Sequence, residues 1–339
     1  MSPAGAVLVS ALVVLGMVVV LPLGLRLLGP DVVPAPRRAA WPLAGVAGAA
    51  SLVVPRGAAS ALLALVFAVA TAVLALAGAR LTVRTVRDVR AGRSAPAALA
   101  SRAASVTALV MPVVGASALV AERAGWGLLG FSGTYLALTV PHMLYAGFGA
   151  ALIAGTVARL AGADRLAVAG AWGVPVGTVL VLAGYFVGDV AELVGAGVLT
   201  LALWATAVAA VRSLARPVGP AHLADDGRPA APESSPASTA GARALLGTGA
   251  VVVGLSMLLA LWWAAGEALG FAHPGLDAMA ATHGVANALG FVLCALLGLR
   301  VLAAPPAFPH EAAGADAAHR DAGQDTTRGP GRAPEGSAA

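Results

Sequence analysis

The chain has 339 residues, of which 59% are hydrophobic and only 11% are charged, and its mean hydropathy is +0.87. This composition excludes an ordinary soluble domain and predicts a helical protein with many membrane spans. All 21 basic residues are arginine, a bias typical of a GC-rich bacterial genome, so we expect the bacterial cytoplasmic (inner) membrane. The single cysteine, Cys294, excludes a disulfide framework.

Apolar runs predict an all-α, polytopic transmembrane bundle of about nine spans. A chain inside the bilayer must satisfy its backbone hydrogen bonds internally, so these runs are helices. The second run is the weakest, because it is short and bounded by Pro42 and Pro55. It fits either a tilted stub or one half of a re-entrant hairpin with the third run. The predicted spans are 6–28, 40–55, 58–79, 103–121, 133–158, 166–187, 190–211, 243–265 and 278–302.

The arginines predict the orientation of these spans. With the N-terminus outside, every arginine except Arg56 and Arg123 falls on the inner side, as the positive-inside rule requires. We therefore predict an N-out/C-in topology. Segment 80–93 has arginines near helical spacing, and it either anchors the topology or lies on anionic lipid headgroups at the inner face. This placement accounts for the net charge of +5 without a nucleic-acid partner.

Composition divides the chain into a membrane domain and two polar segments. Residues 217–242 are rich in Pro, Ala, Ser and Asp and predict a disordered inner loop. Residues 304–339 predict a disordered cytoplasmic tail. The integral membrane domain is therefore expected to cover residues 1–303.

The sixth predicted span carries two pairs of small residues four positions apart. These pairs, Gly173/Gly177 and Gly184/Gly188, let helix backbones approach closely. Close helix packing is the expected role, and a hinge at Pro175 is the alternative.

Two histidines lie inside apolar spans, each between two Gly-Phe pairs. His142 lies within 130–148 and His283 within 270–291. An ionisable group in a membrane span is costly and rare, so it marks a candidate functional site. The matching frames suggest that spans four and five and spans eight and nine are related hairpins. From the predicted span starts, His142 is expected roughly 15 Å and His283 roughly 8 Å below the outer face.

Helical spacing gives each histidine a polar neighbour. Tyr145 follows His142 at i+3, and Asn287 follows His283 at i+4, so each pair shares one helix face. Imidazole titrates near physiological pH, and these residues could form a substrate or proton path. The alternative is a set of hydrogen bonds that only locks the helices together. Since no metal-binding pattern accompanies the histidines, we predict no metal site and no cofactor.

Acidic residues lie near the predicted outer face. Asp189 and Glu192 share one face at the start of the seventh span, and Glu267 and Asp277 flank the last outer loop. These carboxylates could attract a cation or proton to the mouth of a path that leads to the histidines. Solvated loop ends are the alternative interpretation.

The histidine segments resemble the YndJ-like family of bacterial membrane proteins. The match lies in residues 129–148, in the His-Gly-x-x-Asn-Ala-x-Gly-Phe motif of residues 279–291, and in the opening 21–26. It covers the chain from the first span to about residue 302, without the inner loop and the tail. In that family the first motif usually has a second histidine where this chain has Leu144, which argues against a multi-histidine metal site.

The resemblance implies a multi-pass membrane protein, and the family is commonly labelled a transporter. We therefore expect a secondary transporter or permease of unknown substrate, and a non-enzymatic function is favoured over an enzymatic one. Two alternatives stay open. One is a membrane-embedded enzyme or redox protein that depends on metal, haem or lipid, and the other is a non-catalytic membrane partner.

Overall fold

The computed structural model describes residues 1–215 and 236–302. These residues form nine helices and no strand, which confirms the all-α prediction. Eight of the nine helices are long and apolar enough to cross a membrane. The helices are α1 (Pro3–Leu25), α2 (Ala35–Val53), α3 (Ala58–Arg90), α4 (Pro96–Ala124), α5 (Thr134–Ala161), α6 (Arg165–Val187), α7 (Asp189–Ala215), α8 (Pro236–Leu269) and α9 (Leu276–Leu302).

The outward surface of the bundle is apolar. Large side chains such as Val7, Leu43 and Leu201 are between 65% and 78% exposed. A surface of this kind in water would favour association, whereas lipid chains solvate it without cost. The surface and the helix lengths together identify a membrane protein.

Hydrogen bonds between helix ends define the predicted outer face. The backbone N–H of Ser2 donates to the carboxylate of Asp277 at 2.9 and 3.1 Å, which joins the start of α1 to the start of α9. The N–H of Gly57 donates to the carbonyl of Arg123 at 2.9 Å, which joins the start of α3 to the end of α4.

The predicted inner face is organised around the turn that follows α1. Arg38, Arg84 and Arg159, from α2, α3 and α5, each donate to a backbone carbonyl in segment 27–31 at 3.3–3.5 Å. The turn therefore gathers the start of α2 and the inner parts of α3 and α5. Helices α1 to α5 alternate between two faces, as the predicted spans do.

Helix α2 is longer than the second predicted span, and it is the one helix of the nine in the described residues that is not apolar enough to count as a membrane span. Its 19 residues extend for about 28 Å. At one end Arg38 donates a hydrogen bond to the turn after α1, at the predicted inner face. At the other end the Val54 carbonyl accepts one from Arg123, at the predicted outer face. A re-entrant hairpin with α3 would not do this, so that expectation is wrong. The sequence pattern missed the first turn because the arginines at its start lower the local hydropathy.

Helix α8 corrects the boundary of the predicted inner loop. It begins at Pro236, so residues 236–242 are helical although they fall inside the predicted disordered segment 217–242. Proline is well suited to the first turn of a helix, because its missing N–H would have no partner there. Positions 216–235 of the loop and the predicted tail 304–339 lie outside the described residues.

Helices α6 and α7 pack through the predicted glycines. A Cβ placed on Gly177 would lie 2.6 Å from the Cα of Leu199, and one on Gly184 would lie 2.6 Å from the Cα of Glu192. The predicted packing role is therefore confirmed for these glycines. Gly188 lies instead in the turn between the helices, where its φ of +134° suits only glycine.

Three helices contain π-helical segments, in which backbone bonds run from residue i to i+5. They are Gly16–Val20 in α1, Met143–Ala150 in α5, and both Ala280–Gly284 and Ala286–Leu293 in α9. Such segments are frequent at functional sites. Here they lie in the two helices that carry the predicted histidines and in the helix that packs between them.

Candidate functional site

His283, Asn287 and Ser256 form a closed ring of hydrogen bonds between α8 and α9. His283 Nδ1 lies 2.9 Å from the Ser256 carbonyl oxygen, and Asn287 Nδ2 lies 2.9 Å from His283 Nε2. The Ser256 hydroxyl donates to Asn287 Oδ1 at 2.7 Å. The predicted pair on one face of α9 is therefore confirmed as a contact.

The contacts of the ring fit a neutral imidazole. The Ser256 carbonyl only accepts, so His283 Nδ1 carries the hydrogen and donates it. The amide nitrogen of Asn287 lies close to both ring nitrogens, 2.9 Å from Nε2 and 3.3 Å from Nδ1, so the amide N–H faces the ring beside Nε2. With Nδ1 as the donor to Ser256, these contacts fit a neutral imidazole with the Asn287 oxygen turned towards Ser256.

Ser256 is the member of the ring that the sequence did not indicate. It lies 31 residues before Asn287, on another helix, and its side chain is buried. A serine in an apolar helix has no distinctive spacing to a histidine elsewhere in the chain, so local pattern analysis does not find it.

An open groove of about 480 Å³ runs between α8 and α9 beside the ring. His283, Ser256 and Thr282 supply its polar groups, and Leu255 and Trp262 are among its apolar walls. The side chain of Leu255 is 66% exposed, so the groove opens towards the side of the bundle that faces lipid. Its volume lies within the range of ligand sites, roughly 300–1,000 Å³.

Tyr145 makes a hydrogen bond to another helix, whereas His142 makes one within its own helix. The Tyr145 hydroxyl is buried and donates to the Leu12 carbonyl of α1 at 2.8 Å. His142 is exposed, and its Nδ1 lies 2.8 Å from the carbonyl of Leu138, one turn earlier. The two neighbours at i and i+3 therefore do not bond to a common group.

Helix α1 links the two histidine segments. Leu12 accepts the hydrogen bond from Tyr145, and its side chain lies 3.5 Å from the position of a Cβ on Gly284. Counted from the observed helix starts, His142 and His283 lie about 12 and about 10 Å along α5 and α9, closer in depth than the sequence predicted.

The π segments touch one another through glycines. A Cβ on Gly16 would lie 2.8 Å from a side-chain carbon of Leu144, and one on Gly149 would lie 2.6 Å from a side-chain carbon of Val292. Leu144 occupies the position that carries a second histidine in the resembled motif, and here it is a buried packing residue against α1.

Three of the four predicted mouth acids lie near one another. Glu192 is within electrostatic reach of both Asp189 and Glu267, and a carboxylate oxygen of Glu267 lies 3.2 Å from His273 Nε2. The fourth, Asp277, accepts from the backbone at the start of α1. Within 1–215 and 236–302 no three His, Cys, Asp or Glu side chains are grouped to hold a metal ion.

The sequence profile of the YndJ-like protein family matches residues 11–225 and 230–291. The match contains most of α1, all of α2 to α8, and α9 as far as the Gly-Phe pair that follows Asn287. It also extends over residues 217–225 and 230–242 of the predicted inner loop, which the resemblance in the sequence had left out. No curated protein and no solved structure matches the chain.

Proposed function

The chain belongs to the YndJ-like proteins, and we propose that it is a secondary transporter in which His283 binds a proton as substrate moves. One observation carries the proposal, the closed ring of His283, Asn287 and Ser256 beside an open groove inside membrane-spanning helices. A buried polar network is costly in a bilayer. Because this ring is accessible from a groove, its polar groups can contact a bound substrate as well as hold the two helices together.

Proton uptake would rearrange this ring. A proton on His283 Nε2 would make that atom a donor facing the amide N–H of Asn287, and two donors cannot bond each other. Rotating the Asn287 amide by half a turn would present its oxygen to Nε2. The Ser256 hydroxyl would then accept from the amide. One proton would thus reverse two bonds of the ring, and the reversed bond between Ser256 and Asn287 joins α8 to α9, so the charge of His283 is coupled to the contact between these helices.

The groove indicates the kind of substrate. Its walls are mostly apolar and it opens towards lipid, so a strongly hydrated ion would lose its water shell there without replacement. An amphipathic organic molecule would place its apolar part against Leu255 and Trp262. Its polar part would lie near Thr282 and His283.

The remaining predicted residues would extend the proton path. His142 is exposed, and in this proposal it would pass protons towards His283. Asp189, Glu192 and Glu267 would raise the local proton concentration at the mouth. Tyr145 would hold α5 on α1 while the ring changes.

The proposed setting is the bacterial cytoplasmic membrane with the N-terminus outside. Its support is the arginine distribution, in which only Arg56 and Arg123 lie towards the proposed outside. In the structure both pair with the buried Glu122 at one face of the bundle, so one carboxylate offsets part of their charge.

Electrical recording on proteoliposomes tests the function. The full chain is reconstituted and adsorbed to a solid-supported membrane, and amphipathic weak acids and amines are applied with and without a proton gradient. We expect a transient current for at least one compound class, dependent on the gradient and abolished by His283→Gln. Ser256→Ala should reduce the current.

Ser117→Ala is the matched control, because this serine donates only to a carbonyl of its own helix. It should leave the current unchanged. A current that persists in His283→Gln would contradict the proposed role of the ring. Recovery of chemically altered compounds from the liposomes would support the enzymatic alternative instead.

A further inference from the structure

A second cavity lies at the predicted inner face, between α2, α3 and the turn that follows α1. Its volume is about 160 Å³. It is remote from the ring, which lies towards the opposite ends of α8 and α9. Its lining includes Asp31, Val32, Arg37, Arg80, Leu81 and Arg84. Three arginines and one aspartate are therefore among the residues that line this small cavity.

The sequence places these arginines together in a simple way. Arg80 and Arg84 are i and i+4 on α3 and share one face, and Arg37 comes from the first turn of α2. Arg84 is positioned by its bond to the Asp31 carbonyl at 3.3 Å. The guanidinium groups of Arg37 and Arg80 make no hydrogen bond or ion pair with the described part of the chain, so their donors are available.

The depth of the cavity matches the headgroup region. Helix α3 has 33 residues and extends for about 50 Å, well beyond a hydrocarbon core of roughly 30 Å. Its first 22 residues, 58–79, are apolar enough to fill that core, so Arg80 and Arg84 fall at the inner boundary. The floor of the cavity is apolar, with Val32 and Leu81 buried.

We propose that this cavity binds the phosphate group of an anionic phospholipid in the inner leaflet. Guanidinium groups bind phosphate through paired, charge-assisted hydrogen bonds. Basic pockets between membrane helices on the cytoplasmic side suit acidic headgroups. The apolar floor suits the glycerol and the first carbons of the chains, which free phosphate lacks. A bound phosphate would connect α2 to α3, because Arg37 and Arg80 would both donate hydrogen bonds to it.

General attraction of anionic lipid to the inner arginines is the competing explanation, and the chain offers a matched control. Arg87 and Arg90 lie on the same helix, are also exposed, and do not line the cavity. A diffuse electrostatic effect would respond equally to either pair of substitutions. A specific site would respond only to the pair that lines the cavity.

Lipid binding to the purified full chain in a neutral detergent tests the site by native mass spectrometry. Phosphatidylglycerol is titrated against phosphatidylcholine, and inorganic phosphate is added as competitor. We expect Arg80→Gln with Arg84→Gln to weaken phosphatidylglycerol binding by about tenfold or more. Arg87→Gln with Arg90→Gln should change it much less, and millimolar phosphate should not displace the lipid.

Arg37→Gln keeps the test decisive if the double variant is unstable, since the Arg37 side chain has no structural partner in the described residues. It should weaken phosphatidylglycerol binding while the melting temperature without lipid stays unchanged. Equal losses for the two arginine pairs would overturn the proposal. Displacement by inorganic phosphate would also overturn it, because the site would then recognise the free anion.

Discussion

Replacing Asn287 by leucine tests whether the ring is a single unit. The substitution keeps the approximate shape but removes the acceptor for Ser256 and the donor to His283 Nε2. Leaving these groups without partners costs about 1–3 kcal/mol in folded proteins. In membrane proteins single interhelical hydrogen bonds contribute less, about 0.6 kcal/mol on average. We therefore expect a loss of about 1–2 kcal/mol in the free energy of unfolding.

A double-mutant cycle with Ser256→Ala supplies the sharper measurement. Ser256→Ala alone removes one bond of the ring and should cost about 0.6 kcal/mol. Because both substitutions remove the bond between Ser256 and Asn287, the double variant should be more stable than the sum predicts, by about 0.5–1 kcal/mol.

Steric trapping in bicelles measures these free energies of unfolding under native conditions. Ser117→Ala combined with Asn287→Leu is the control, and its effects should add within about 0.3 kcal/mol. Additive effects for Ser256→Ala and Asn287→Leu would refute the ring, since residues that share a hydrogen bond must couple.

Three further predictions test the packing and the chemistry. Gly177→Ala should destabilise the protein by about 1–3 kcal/mol, because its Cβ would meet the backbone of Leu199, whereas Gly197→Ala, with open space around it, should not. Tyr145→Phe should lower the free energy of unfolding by about 1 kcal/mol, because the hydrogen bond to Leu12 is lost. Tyr135→Phe, at an exposed tyrosine, should have no such effect. Thermal unfolding measures the glycine variants and the tyrosine variants. Extended EDTA dialysis should leave the proton-dependent current intact, and its loss with recovery on adding metal would favour the metal-dependent alternative.

Local sequence pattern was sufficient for the features that depend on one helix. Hydropathy located the eight long apolar helices, and four-residue spacing brought His283 and Asn287 into contact. The same spacing predicted the approach of α6 and α7 at Gly177. These features follow from helical geometry alone, so they need no knowledge of which helix packs on which.

Features that depend on two helices were not predictable in this way. Ser256 completes the ring from α8, and the Leu12 carbonyl that Tyr145 reaches lies 133 residues away. The start of α2 was missed because arginines at a membrane boundary look polar to a hydropathy average. The π segments were missed because a change of backbone register leaves the residue pattern nearly unaltered.

One π segment has a cause that the sequence contains. In α1 the Leu21 N–H bonds to the Gly16 carbonyl, five residues earlier. The next residue is Pro22, which has no N–H to give to the Met17 carbonyl. Trp41 Nε1 of α2 takes that place and donates to Met17 at 3.3 Å. The register change thus exposes a carbonyl that a neighbouring helix satisfies.

Helix α1 is consequently held from two sides. Its Met17 carbonyl binds α2 and its Leu12 carbonyl binds α5, and neither bond involves a group that titrates near neutral pH. The contact between α8 and α9 is different, because its ring contains His283. Under the proposed function, proton uptake should therefore move α8 against α9 while α1, α2 and α5 keep their positions. Distance measurements between spin labels on α8 and α9, and on α2 and α5, at two pH values would distinguish this from movement of the whole bundle.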